Sequence, residues 1–155
     1  MNEDAIVVGN DQTKELTLSS LDKIVGFHMR KAILKALSRV SKVAGRNLAT
    51  GQYSVMAIID ENPGRTQSAI AEAAGLDRSS LVPILNQFEK NGFITRVPAT
   101  NDKRAYSVSL TDDGRQELKD LDVMIREIEM NVIRGLGEKD HQQLIDLLKR
   151  YHSII

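Results

Sequence analysis

Thr66-Gln-Ser-Ala-Ile-Ala-Glu-Ala-Ala-Gly-Leu-Asp-Arg-Ser-Ser-Leu-Val-Pro-Ile-Leu-Asn-Gln-Phe88 decides the fold. Thr66 is a side-chain cap, and the small and apolar residues after it predict a short helix ending at Ala74. Gly75 supplies the positive φ that a sharp exit from a helix requires. Asp77, Ser79 or Ser80 then caps a second helix whose apolar stripe is Leu81, Ile84, Leu85 and Phe88. Two short helices joined by a tight glycine turn are a helix-turn-helix. Asn91-Gly92 closes the second helix.

Two β-like stretches follow, 93–98 and 105–110; in the second, Tyr106, Val108 and Leu110 alternate with Ser107 and Ser109. The residues between them, Ala99-Thr-Asn-Asp-Lys-Arg104, predict a polar hairpin tip. A β-ribbon ending in Asn101, Asp102, Lys103 and Arg104 is a poor core element and a good probe for a narrow, electronegative groove. On the second short helix, Arg78, Ser79, Ser80, Asn86 and Gln87 lie on or near the polar side, where they can donate to phosphates or read base edges. Thr66 and Gln67, at the start of the first short helix, complete the candidate DNA-contacting set with Lys103 and Arg104. The same pattern also fits an ordinary solvated face; the hairpin beside it tips the reading toward DNA.

Pro83 lies within the second short helix. If Asp77 is the cap, Pro83 is interior, one backbone bond is lost and the helix is expected to kink, at a cost of about 3 kcal/mol. If Ser80 is the cap, Pro83 falls in the first turn and costs little. The expectation is a distorted early turn, or ordered helix beginning near Ser79 or Ser80.

Outward from this centre the pattern is helical. Leu21, Ile24, Val25, His28, Ala32, Ile33, Ala36, Leu37, Val40, Val43 and Ala44 form one long stripe, interrupted by Gly26. A helix after Thr50-Gly51 turns Tyr53, Met56, Ala57 and Ile59 inward, and Asn62-Pro63-Gly64 predicts a turn. Thr111 caps a long helix with Leu118, Leu121, Ile125, Ile128 and Val132 inward, and Gly135 and Gly137 break it. A last helix buries Leu144, Ile145, Leu148 and Tyr151. The fold expected is mostly α, an α+β winged helix. It comprises a flexible arm over 1–18, helical dimerisation regions at 19–47 and 112–155, and a winged helix-turn-helix lobe at 48–111.

Composition excludes several classes. The 155 residues are 41% hydrophobic and 27% charged, with 21 basic and 21 acidic side chains, which suits one globular domain. The absence of cysteine excludes a disulfide framework, a thiolate metal site and a thiol nucleophile or sensor. The longest apolar run, Val55–Ile59, is far below the roughly 18–20 residues of a membrane span. Glu3, Asp4, Asp11 and Glu15 near the start do not make a signal peptide, and the expected compartment is the cytoplasm. Neutral overall, the chain is locally uneven. Residues 22–46 carry seven bases and one acid, and residues 111–140 carry nine acids and five bases. No phosphate-cradling, nucleophile-elbow or zinc-protease motif is present, so no enzyme is expected. His28, His141 and His152 are spaced too widely for a shared ion, so neither metal nor cofactor is expected.

The ordered series Leu48–Met56, Thr66–Ala71, Leu76–Leu81, Phe88–Arg96, Asn101–Ala105 and Leu110-Thr-Asp-Asp-Gly114 resembles the MarR family of bacterial transcriptional regulators, over nearly the whole chain from about residue 20. The resemblance implies a homodimer, a DNA-reading winged-helix lobe, a dimer lobe built from both terminal helical regions and a small-molecule pocket between the lobes. It makes Arg104 the minor-groove arginine, with Asp102 bracing it. It also implies a pseudo-palindromic operator, repression as the commoner outcome, and release by an effector such as an aromatic acid, a phenolic or an acyl-CoA thioester. Candidate pocket residues are His28, Arg30, Lys31, Tyr53 and Met56. His28 is read first as a core or interface histidine holding a backbone carbonyl, and second as a donor in that pocket. Two alternatives stay open: a winged-helix module that binds protein, and a DNA binder without an effector.

Overall fold

Hydrophobic spacing becomes packing between residues 51 and 121 of a computed structural model, which describes residues 19–45, 51–98 and 106–155. The expected arm, and the hairpin tip with Asp102, Lys103 and Arg104, lie outside the described residues. The chain divides into two compact units, Met1–Lys35 and Ala36–Ile155.

A 3-10 turn over Ser19–Lys23 leads into α1 (Val25–Ala44). In the first unit the His28 Nε2–H donates to the carbonyl of Asp22 at 2.8 Å, and the Lys31 ammonium lies 5.3 Å from the centre of the Phe27 ring. His28 therefore does hold a backbone carbonyl, though its side chain is 53% exposed.

In the second unit, α2 (Gln52–Glu61) is followed by β1 (Arg65–Thr66), α3 (Gln67–Ala74) and α4 (Arg78–Lys90). Then come β2 (Ile94–Pro98), β3 (Tyr106–Leu110), α5 (Asp112–Leu136) and α6 (Glu138–Ile154). The strands form an antiparallel sheet in the order β1-β3-β2, with Ile94 opposite Leu110, Arg96 opposite Val108 and Arg65 also opposite Val108. The expected hairpin is present, and β1 is an added third strand. Val55, Met56 and Ile59 from α2, Ile70 from α3, the predicted stripe of α4, and Ile94, Val108, Leu110 and Leu121 close one core. This is a mostly helical winged-helix fold.

Two glycines fix its geometry, one by its positive φ and one by a close approach. Gly75 ends α3 at φ 64, and its N–H reaches back to α3 carbonyls. Gly114, in the first turn of α5, lies so near the β2 entry that a Cβ there would meet the Phe93 carbonyl oxygen at 2.0 Å. Thr111 completes this joint: its N–H donates to Phe93 O at 2.9 Å, its hydroxyl to Gly92 O at 2.6 Å, and its Oγ1 accepts from Gly114 N.

Several expectations need correction. The stripe of α1 is largely open, with Val40 its one buried residue, and Ile24, Val25, Ile33 and Val43 at least half exposed. In α5, Leu121 is the one buried side chain of the predicted stripe, and α6 buries none; Leu144 is 44% exposed. An amphipathic period shows which face of a helix is apolar, not whether another element lies against it. Gly135 stays helical inside α5; the break is at Gly137, φ 83, alone.

Candidate nucleic-acid interface

The α4 helix is built to be held by one face and to present the other. Leu81, Ile84, Leu85 and Phe88 are buried, while Arg78, Ser79, Ser80, Pro83, Asn86 and Gln87 are exposed. Its start is pinned by Asp77, whose carboxylate accepts from Ser80 N at 2.7 Å, the Ser79 hydroxyl at 2.6 Å and the Ser80 hydroxyl at 3.2 Å. These bonds, the one from Ser79 foremost, hold the Asp77 carboxyl below the usual carboxylate range. Asp77 is thus the cap and ordered helix begins at Arg78, not at Ser79 or Ser80. The strength of this cap is the physical reason: it fixes the first turn ahead of the proline. Pro83 is interior, with no N–H to offer the carbonyl of Ser79.

The other expected residues fall as follows. Thr66 caps α3, accepting from Ala69 N at 3.3 Å, and Gln67 is the first residue of that helix. The Gln87 amide donates to Asn91 Oδ1 at 2.9 Å. An open cleft of about 960 Å³ runs across this face between α3, α4 and the sheet, bordered by Thr66, Gln67, Arg78, Leu81, Arg96 and Tyr106. Thr66, Gln67 and Arg78 share the rim of that cleft; Lys103 and Arg104 lie outside the described residues.

Arg96 was absent from the expected set. It extends from β2 with its side chain only 14% exposed, and its Nη2 donates to Asn86 Oδ1 of α4 at 2.9 Å. Its Nε lies 3.5 Å from Glu89 Oε2, an ion-pair distance without hydrogen-bond geometry. The signal was in the strand parity. Ile94 is buried, so Arg96, two residues on, shares the inward face, and a charge there requires a partner.

Of the candidate pocket residues in the second unit, Met56 is wholly buried in the core, and Tyr53 bridges two helices. The Tyr53 hydroxyl donates to Asp122 Oδ1 on α5 at 2.6 Å, and Arg126 donates to Asp122 Oδ2 through Nε at 3.1 Å and Nη2 at 2.9 Å. The Asp122 bond, followed by burial, pushes the Tyr53 phenol up; the same bond, followed by that from Arg126, holds Asp122 down. His28, Arg30 and Lys31 belong to the first unit.

The sequence pattern of the MarR family matches residues 48–106, the stretch that carries this helix pair and wing. A Thauera aromatica protein described as a transcriptional regulatory protein for the hcr operon is 31% identical over 145 residues, covering 92% of this chain and 87% of that one. The chain belongs to the MarR family. Like other MarR-family regulators it shares the architecture of the transcriptional repressor CouR, solved on a 23-mer DNA duplex. That likeness has a TM-score of 0.78 at 28% identity and covers 89% of this chain and 99% of CouR. CouR bound to p-coumaroyl-CoA is matched at a TM-score of 0.77 and 28% identity, over 89% of this chain and 98% of that one. The fold also matches the PcaV transcriptional regulator from Streptomyces coelicolor, solved with its natural ligand. There the TM-score is 0.79 at 22% identity, with 89% of this chain and 98% of that one covered. Among the described residues no helix is long and apolar enough to cross a membrane.

Proposed function

We propose that this MarR-family regulator is a homodimeric repressor that binds a pseudo-palindromic operator and releases it when a small molecule binds. The observation that carries the reading is α4: a firmly capped helix with a buried apolar face, an exposed Arg, Ser, Asn and Gln face, and an antiparallel sheet beside it. Such a helix fits the major groove with its early residues toward base edges, while a wing tip carrying Lys103 and Arg104 reaches the neighbouring minor groove. Two-fold symmetry sets two such helices roughly 34–36 Å apart, one turn of the duplex. Residues 48–111 would form the reading lobe, and 19–47 and 112–155 the dimerisation region. CouR on DNA and CouR with an aromatic CoA thioester support both partners by analogy. The effector proposed is an aromatic acid, a phenolic or its CoA thioester, and the working compartment is the cytoplasm.

Selection of bound duplexes from a random pool tests this directly. The expected product is a two-fold-symmetric site whose affinity falls with salt at a log–log slope of about −0.9 per phosphate contact. Addition of aromatic acids or their CoA thioesters is expected to lower affinity for that site, since a ligand shifts binding by its differential affinity for the free and DNA-bound arrangements. Weak, sequence-blind binding would point instead to a protein-interaction module.

A further inference from the structure

We propose that Arg96 is a positioning residue that makes Asn86 a donor-only reader, so that each half-site carries a keto base, guanine or thymine, where Asn86 touches it. The inference rests on α4 being the DNA reader and adds what one of its side chains selects. A guanidinium carries N–H donors and no acceptor, so the Asn86 atom 2.9 Å from Arg96 Nη2 must be the amide oxygen. An unrestrained asparagine reads adenine with both arms, accepting from N6 and donating to N7. Here the accepting arm is turned back toward β2, where it accepts from Arg96 Nη2. What remains for a base is the amide NH2, which can take either of the two acceptors of guanine, N7 and O6, or the O4 of thymine; adenine offers N7 alone, beside an amino group left without its acceptor, and cytosine offers only a donor.

The brace is anchored. Arg96 is only 14% exposed on its side chain, its Nε is buried, and Glu89 Oε2 stands 3.5 Å from that nitrogen on the same helix as Asn86. Leaving Asn86 for a phosphate would strand the Glu89 carboxylate beside a polyanion, so Arg96 stays where it neutralises Glu89 and holds the amide. The register fixes its origin: Arg96 stands in the middle of the edge strand β2, opposite the buried Val108 of the central strand β3.

The test is duplex selection with wild type, Arg96→Met and Asn86→Asp, the fold of each checked by circular dichroism. Wild type is expected to prefer guanine or thymine at one position per half-site by roughly tenfold. Asn86→Asp keeps the pairing with Arg96 but presents acceptors, so the same position should switch to cytosine or adenine. Arg96→Met frees the amide oxygen, and that position alone should move toward adenine. A purely structural brace would instead lower affinity at all positions without changing any base. Adenine at this position in wild type, or no position that follows residue 86, would overturn the inference while leaving the DNA-reading function standing. Failure of wild type to enrich any sequence would overturn both. If Arg96→Met does not fold, Asn86→Asp decides alone, because its site is exposed and its partner is retained.

Discussion

At Gly114 the absence of a single methyl group decides whether two elements can meet. A Cβ there would lie 2.0 Å from the Phe93 carbonyl oxygen, which is backbone and cannot rotate away. Gly114→Ala is expected to destabilise the protein by about 2–4 kcal/mol, read as a lowered denaturant midpoint, because the first turn of α5 must move off the turn before β2. Exposed Pro83 carries the opposite expectation. Pro83→Ala restores an N–H for the Ser79 carbonyl and removes the ring from a helix interior, so stability should rise by about 1–3 kcal/mol. No gain on thermal or denaturant melting would mean that the first turn has already accommodated the proline at no cost.

Between elements, the Tyr53, Asp122 and Arg126 bridge ties α2 to α5 and gives stability a defined pH window. Asp122 is held below the ordinary carboxylate range, so its contribution is full above that range and lost as pH falls through its lowered value. Tyr53 is held above the ordinary phenol range, so its contribution is full below that range and lost as pH rises through its raised value. Tyr53→Phe should cost about 1 kcal/mol at neutral pH and flatten the stability profile at both ends. An unchanged profile would show that the bond is exchanged for water without loss.

The helix-turn-helix, its glycine turn and the β2–β3 hairpin were legible in the sequence because each has a local signature: a cap, a positive-φ glycine, an alternation. β1 was not, since Arg65 and Thr66 are too few for any alternation and become a strand only by pairing with β3, some forty residues on. Arg96 was visible in strand parity, but its partners on α4 were not, because cross-element contacts leave no spacing rule. The inward assignment of Leu144, Ile125 and Ile33 read amphipathic faces correctly as apolar but could not say what covers them.

At the scale of the whole molecule, the apolar residues left open on the long helices raise the question of a partner. In the second unit Val123, Met130, Leu136, Leu144 and Leu147 are each at least 44% exposed in one chain, an arrangement that proteins in water rarely leave uncovered. A second copy covering them is the simplest solution, and Leu144→Asp with Leu147→Asp should lower the sedimentation mass toward one chain and weaken operator binding together. A wild-type chain that sediments singly at micromolar concentration would remove the basis for paired half-sites.

The Thr111–Gly114 joint has a mechanical meaning. With no methyl group to act as a cushion, the long helix and the root of the wing are one stiff piece, and the 25 residues of α5 span about 37 Å from that pivot. A rotation of that piece by roughly 5° about its Thr111–Gly114 end would carry the far end of the helix about 3 Å, and the same lever works in reverse. A load on the distal half of α5 is therefore felt at Phe93, the residue before β2.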